Sequence, residues 1–134
     1  MEANQIIKYT QNWNNKLDCP LHTTIRAYEP TKYVVGHEYK EYLACKKDDA
    51  GAINIDGKYY LHVNTVKCIE IKVLQLKDIS PSMAWLDAAV TLPYFLGMIR
   101  TMYKAQYQQA QGNMYIHWLL LKNINHQPNP NNNG

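Results

Sequence analysis

Long apolar runs are missing from this 134-residue chain. Nothing in it approaches the ~20 consecutive apolar residues that span a bilayer, and its first residues hold no hydrophobic stretch of signal-peptide length. The expectation is a cytoplasmic protein that does not engage a membrane. Cysteine is scarce too. Cys19, Cys45 and Cys68 are odd in number, unequally spaced, without a CxxC pair and without a histidine at ligand spacing. That excludes a disulfide framework or a zinc site and predicts three reduced, separately buried thiols. The six glycines stand singly, so neither GxGxxG nor GxxxxGK[ST] occurs, and HExxH is absent. Dinucleotide-fold, phosphate-loop and zinc-protease chemistry are excluded, and no cofactor or metal is expected. Arginine occurs only at 26 and 100, and Lys46-Lys47 is the one basic pair. A net charge of +3 spread this thinly does not make an extended grip on a duplex. With so few guanidinium groups, the place of each matters.

What the chain does have is tyrosine, eleven against a single phenylalanine, within a composition that is 46% hydrophobic. Apolar surface that carries a hydroxyl at its tip lines a wet cleft as readily as a core. One domain, residues 1–124, is expected, followed by an Asn/Pro-rich tail, 125–134, with nothing to bury and therefore disordered. The first 20 residues, rich in Asn and Gln around Ile6, Ile7, Tyr9 and Trp13, fit a short strand or helical turn draped over the rest.

From Thr23 the pattern turns to short strands. Thr23-Thr-Ile-Arg26 is followed by the extended, turn-forming Glu29-Pro30. Residues 38–45 form the next strand, with Tyr39, Leu43 and Cys45 on one face and Tyr42 on the other. A polar connection, 47–51, leads to 52–55 and then to Asp56-Gly57, a strong hairpin dipeptide. Residues 59–66 alternate with Tyr59, Leu61, Val63 and Thr65 on one face, and 68–76 continue the β pattern with a bulge expected near Leu74. At Ser80-Pro81 the period shifts towards 3.6, Ser80 serving as N-cap and Pro81 as first helical residue. Trp85 is expected in the core of that helix. Leu92, Leu96, Ile99 and Tyr103 make the apolar stripe of a second helix. Gly112-Asn113 breaks the polar stretch before 114–121, the last strand, apolar enough to be central and carrying Trp118 into the core. The order of elements describes a mostly antiparallel barrel, with any groove where barrel end and helices meet.

Thr23-Thr-Ile-Arg26, the Val35-Gly36 step into Glu38-Tyr39, the strands ending in Leu74-Gln-Leu-Lys-Asp-Ile79, the helix around Ala84 to Ala88 and the hydrophobic strand from Tyr115 together resemble the ASCH domain family of PUA-like barrels, over residues 20–124. The resemblance implies an α+β fold, a small, mostly antiparallel PUA-like β-barrel with two helices beside a cleft. It also implies binding of RNA, single-stranded nucleic acid or a modified nucleotide. One branch of the family removes acyl groups from N4-acylated cytidine with a lysine, a threonine and a carboxylate. Thr24 matches the threonine and Asp87 the carboxylate, but the lysine position, five residues before the arginine, holds Leu21.

Leucine supplies neither a general base nor an oxyanion stabiliser. His22 is the neighbouring replacement, and strand alternation puts His22, Thr24 and Arg26 on one face with Leu21 and Thr23 on the other. The candidate catalytic residues are therefore His22, Thr24 and Asp87. The candidate ligand-binding residues are Arg26 and Thr24, the stacking tyrosines Tyr33 and Tyr39, with Tyr60 and Tyr94 beside them, and the phosphate-steering pair Lys46 and Lys47. Each has an ordinary alternative: Arg26 paired with Glu38 or Glu41, Asp87 on a solvated helix face, Lys46 and Lys47 as loop charges. Three functions stay open: nucleotide or RNA binding, deacylation of an N4-acylated cytidine, and a non-enzymatic phage or mobile-element protein that binds a host protein.

Overall fold

Local turn chemistry and period-2 alternation carry the chain into six strands, in a computed structural model that describes residues 5–111 and 113–124. The strands are β1 (Ile6–Tyr9), β2 (Leu21–Ala27), β3 (Glu38–Ala44), β4 (Ile53–Ile55), β5 (Lys58–Gln75) and β6 (Tyr115–Asn123). They form one sheet in the order β1-β3-β5-β6-β2, with β4 paired to β5. All pairings are antiparallel except β1 with β3. The outcome is a small α+β fold: a curled, mostly antiparallel half-barrel flanked by helices. The last strand is central, as its apolar sequence demands, with Ile116, Leu119 and Leu121 fully buried. Both the expected tail and Gly112 lie outside the described residues.

The turn signals act as their chemistry requires. Asp56 and Gly57 both take positive φ, 53° and 86°, the geometry of the tight β4–β5 hairpin. Ser80 Oγ accepts from the Met83 N–H at 3.1 Å and starts α1 (Pro81–Ala88). After Ala89, held left-handed at φ 57°, α2 (Leu92–Met102) begins with proline in its first turn, and α3 (Lys104–Gln109) follows. Among the described residues no single helix is long and apolar enough to cross a membrane. The chain before β2 is both of the things expected of it, a strand and a helical turn: β1 joins β3, and a 3-10 helix, Trp13–Asp18, leads back to β2.

Several expectations are corrected. Residues 59–66 and their continuation 68–76 form the single strand β5, Lys58–Gln75, but its irregularity against β6 falls between Cys68 and Glu70 and not near Leu74. Tyr59, Leu61, Val63 and Thr65 are all half-buried, while the buried residues of β5 are Tyr60, Asn64, Val66 and Cys68. In β3 a register shift between Glu41 and Tyr42 breaks the alternation, so that Tyr39, Glu41 and Tyr42 are all buried. Trp85 is 57% exposed, because α1 turns its small residues Ala84 and Ala88 inward. Trp118 is only half-buried, with the Lys72 ammonium over its ring at 5.5 Å. The three thiols are free, but only Cys68 is buried; Cys19 is exposed and Cys45 intermediate.

Two apolar clusters hold the fold. One fills the curl of the sheet, around Ile7, Tyr39, Val66 and Leu121. The other lies between sheet and helices, around Ile25, Ala84, Phe95 and Ile116. At ~25 cal/mol per Å² of apolar area removed from water, these clusters supply most of the driving force for folding. The polar groups of interest sit where the two meet.

Candidate ligand-binding site

A half-barrel leaves two end strands, and here they are β1 and β2. No backbone ladder joins them among the described residues. Instead Arg26, on β2, reaches across and donates from a terminal guanidinium nitrogen to the Lys8 carbonyl on β1 at 2.7 Å. Its Nε donates to Thr24 Oγ1 at 3.1 Å, and its plane lies over the Tyr9 ring at 4.6 Å. The Arg26 side chain thus crosses the open seam, and a cavity of about 70 Å³ lies beside it. Strands β1 and β2 form one wall through Tyr9, Thr24 and Arg26, α2 closes another with Met98 and Ile99, and Lys16 and Asp87 enter from the 3-10 helix and α1.

The electrostatics of this cavity are set by burial. Lys16 is 5% exposed and Asp87 8%, and their Nζ–Oδ1 distance is 2.7 Å. Burial pushes the Lys16 ammonium below its ordinary value; the Asp87 carboxylate partly restores it, and the Arg26 charge adds to the lowering. For Arg26 burial acts downward, but nearby phenols of Tyr9, Tyr103 and Tyr33 together with Asp87 outweigh it, so the guanidinium stays charged. It has five N–H donors, and the bonds to Thr24 and Lys8 use two. The remaining three have no acceptor among the described residues. No buried side-chain N or O there lacks a partner, so the other terminal nitrogen, Nη2, with its two N–H donors, reaches accessible space. A cation with spare, planar donors at the rim of a cavity is suited to a phosphate, carboxylate or carbonyl edge.

Behind Tyr9 lies a second buried polar group that sequence reasoning missed. Glu41, fully buried, accepts from the Tyr9 hydroxyl at 2.5 Å, from Asn64 Nδ2 at 3.0 Å and from His22 Nε2 at 2.8 and 2.9 Å. Burial pushes its carboxyl up, but the His22 hydrogen bond and charge, followed by Tyr9 and Asn64, hold it below the ordinary range. His22 Nδ1 lies 3.1 Å from the Cys19 carbonyl. Both ring nitrogens of His22 are thus engaged, one with Cys19 and one with Glu41. Burial, then the Glu41 charge, hold the Tyr9 phenol well above its usual value and therefore neutral. The cluster fixes the tyrosine on which Arg26 and Lys16 lie, the latter at 5.4 Å from the ring.

The predicted residues divide accordingly. Thr24, Arg26 and Asp87 converge on one cavity, and Asp87 is buried rather than on a solvated helix face. Alternation on β2 puts His22, Thr24 and Arg26 on one side as expected, with Leu21 exposed. His22, however, has both nitrogens engaged in the Glu41 cluster and lines none of this cavity. Arg26 pairs with neither Glu38 nor Glu41. Tyr39 is a core residue whose hydroxyl accepts from the Val34 N–H and donates to the Lys32 carbonyl. Tyr33 is buried against Tyr39 and His117, and Tyr60 is buried too. Lys46 and Lys47 are exposed in the β3–β4 connection, away from the cavity lining. Lys16, unassigned in the sequence, is the amine at the cavity. The leucine at position 21 is exposed, yet a lysine from the preceding 3-10 helix stands beside Thr24 and Asp87. Among the described residues no group of three His, Cys, Asp or Glu could hold a metal ion.

No family model and no curated protein matches this sequence. Among solved structures the chain is similar to protein EF3133 from Enterococcus faecalis, described by the family model DUF984. The TM-score is 0.58 at 9% identity, over 92% of this chain and 78% of that one. That likeness is one of fold alone: a small α+β fold with a curled, mostly antiparallel sheet flanked by helices.

Proposed function

We propose that the seam cavity binds a single nucleoside or nucleotide, the modified-nucleotide form of the binding reading, rather than gripping a long nucleic acid. The observation that carries this is the convergence of Arg26, with one terminal nitrogen unengaged, Thr24 and the Lys16–Asp87 pair on one cavity. Size supports it. At ~10–15 Å³ per water-sized sphere, 70 Å³ takes a group of a few heavy atoms, such as the polar edge of a base, and not a stacked strand. Titration with cytidine, cytidine monophosphate and short RNA oligomers at ~0.1 M salt tests it, since a formed pocket keeps affinity where diffuse attraction to phosphate fades. Saturable binding of the monomeric ligands, weakened at least tenfold by Arg26→Ala, is expected. Binding of the oligomers alone, or of nothing, refutes it.

The place of Lys16 favours one second reading, deacylation of an N4-acylated cytidine. Such an enzyme needs an amine that is neutral part of the time, and burial lowers Lys16 in that direction. Water adds to the acyl carbon and loses its proton to Lys16 Nζ. That proton then passes to the departing exocyclic nitrogen as the C–N bond breaks, leaving a carboxylic acid and cytidine. The role given to His22 in the sequence passes to Lys16, because His22 has no free nitrogen. Release of cytidine from N4-acetylcytidine by the protein, abolished in Lys16→Met, is the expected result. Equal turnover in that variant sinks this reading.

A further inference from the structure

Strand β5 outruns its neighbour β3, and this leaves part of it paired on one side only. Strand β3 lies against it as far as Lys67, and the backbones of Gly36 and His37 add one more pair of bonds at Cys68. From there to Gln75 the ladder to β6 continues, but among the described residues no strand or loop backbone bonds to the opposite edge. Exposed large hydrophobics gather along it. Ile69 and Val73 are on the edge itself, Val34 and Val35 precede Gly36, and Tyr28 and Tyr115 meet, ring centroids 6.4 Å apart, where the β5–β6 ladder ends. An unpaired row of backbone donors and acceptors flanked by apolar side chains is a template for another strand.

The residues of the edge say which strand fits. Ile69-Glu-Ile-Lys-Val73 is complementary to itself when run in the opposite direction. A two-fold axis at Ile71 sets Ile71 against Ile71 of a second copy, Glu70 against Lys72, Lys72 against Glu70, and Ile69 against Val73. Two-fold registers centred one residue to either side set Glu70 against Glu70 or Lys72 against Lys72. Opposite charges across a ladder stabilise it and like charges destabilise it, which selects the register at Ile71. The Glu70 and Lys72 side chains are 48% and 58% exposed, and their contact within the chain is loose at 4.0 Å, so both are able to turn to a partner.

We propose that this edge of β5 is the interface of a symmetric homodimer, two chains joining their sheets antiparallel about Ile71. Such a contact is isologous and closes on itself, which covers the edge and ends strand addition. None of residues 69–75 lines the seam cavity, so the interface stands apart from the ligand site.

Sedimentation velocity on the full chain from about 1 to about 200 μM covers the affinities of a small edge contact. Dimer in exchange with monomer is expected. Glu70→Lys and Lys72→Glu each replace attraction by repulsion at two symmetry-related places, and each should raise the dissociation constant at least about fivefold. The double variant Glu70→Lys/Lys72→Glu exchanges the charges and restores the pairing, so its constant should lie within about twofold of the parent's. Circular dichroism at the lowest concentration checks that every variant is folded as a monomer. A chain that stays monomeric throughout overturns the proposal and leaves the edge to an extended segment of another protein. Dimers insensitive to both single reversals, or not restored by the double one, overturn it by placing the contact elsewhere. Assemblies larger than a dimer overturn it as well, since a two-fold contact closes.

Discussion

Removing the Asp87 carboxylate strands a buried ammonium, and the size of the resulting loss follows from the site. Lys16 and Asp87 are 5% and 8% exposed and meet at 2.7 Å. Breaking a buried pair by deleting one partner costs roughly 3–5 kcal/mol. Two effects limit it. The amine escapes by losing its proton, which from an ordinary value of ~10.4 down to pH 7 costs at most ~4.6 kcal/mol at ~1.4 kcal/mol per unit. Asp87 also stands in the last turn of α1, where a carboxylate opposes the helix dipole by ~0.3–1 kcal/mol, a penalty that alanine removes. The expected loss for Asp87→Ala at pH 7 is thus about 2–4 kcal/mol, measured by urea unfolding. The sign of its pH dependence is fixed. Without Asp87 the folded Lys16 is lowered further, while the unfolded chain keeps its proton up to ~10.4. Between those values the unfolded state binds more protons, and stability rises with pH. The deficit against the parent protein should shrink between pH 7 and pH 9.5. The double variant Lys16→Met/Asp87→Leu should fall within ~1 kcal/mol of the parent, because no charge is left to strand. A loss below ~1 kcal/mol at pH 7, or one that stays constant up to pH 9.5, refutes the reasoning.

Glu41 titrates below its ordinary range when folded, so its share of stability is present above the unfolded value of ~4.3 and is lost as pH falls through the lower folded one. Glu41→Gln should destabilise the protein at pH 7, by roughly 1–3 kcal/mol, because one carboxylate oxygen that accepts from Tyr9, His22 or Asn64 becomes a donor, and should flatten the fall of the urea midpoint between pH 5 and pH 2; an unchanged acid slope contradicts it. Gly57→Ala places a Cβ at φ 86° in the β4–β5 turn and should cost about 1 kcal/mol by the same assay, with no clash to relieve. Trp85→Ala should change stability by less than ~0.5 kcal/mol, since the indole is mostly in solvent, and a thermal shift of many degrees would show that it is covered in solution.

The parts of this fold that sequence makes legible are those set by neighbours along the chain. Ser80-Pro81 caps a helix wherever it is placed, Asp56-Gly57 turns a hairpin, and alternation over Leu21 to Arg26 sorts the side chains of β2 without reference to any other strand. Trp85 was misplaced because a large apolar residue in a helix suggests a core position, whereas α1 packs against β2 and the 3-10 helix with the small face of Ala84 and Ala88. The cavity shows the limit more sharply. Thr24, Arg26 and Asp87 were found by position in a family-like pattern, but Glu41 sits in Glu38-Tyr-Lys-Glu-Tyr42, a stretch that by pattern belongs on a surface. It is buried because His22, Tyr9 and Asn64 arrive from β2, β1 and β5 to donate to it, beside the register shift at which β5 carries the extra residue Val63 opposite β3. Lys16 follows the same logic. Leu17 anchors the 3-10 helix in the core, and the adjacent lysine is thereby delivered to Asp87, 71 positions along the chain. The Lys16–Asp87 contact is therefore set by where the 3-10 helix packs against α1 and β2, which no pattern within Trp13 to Asp18 encodes.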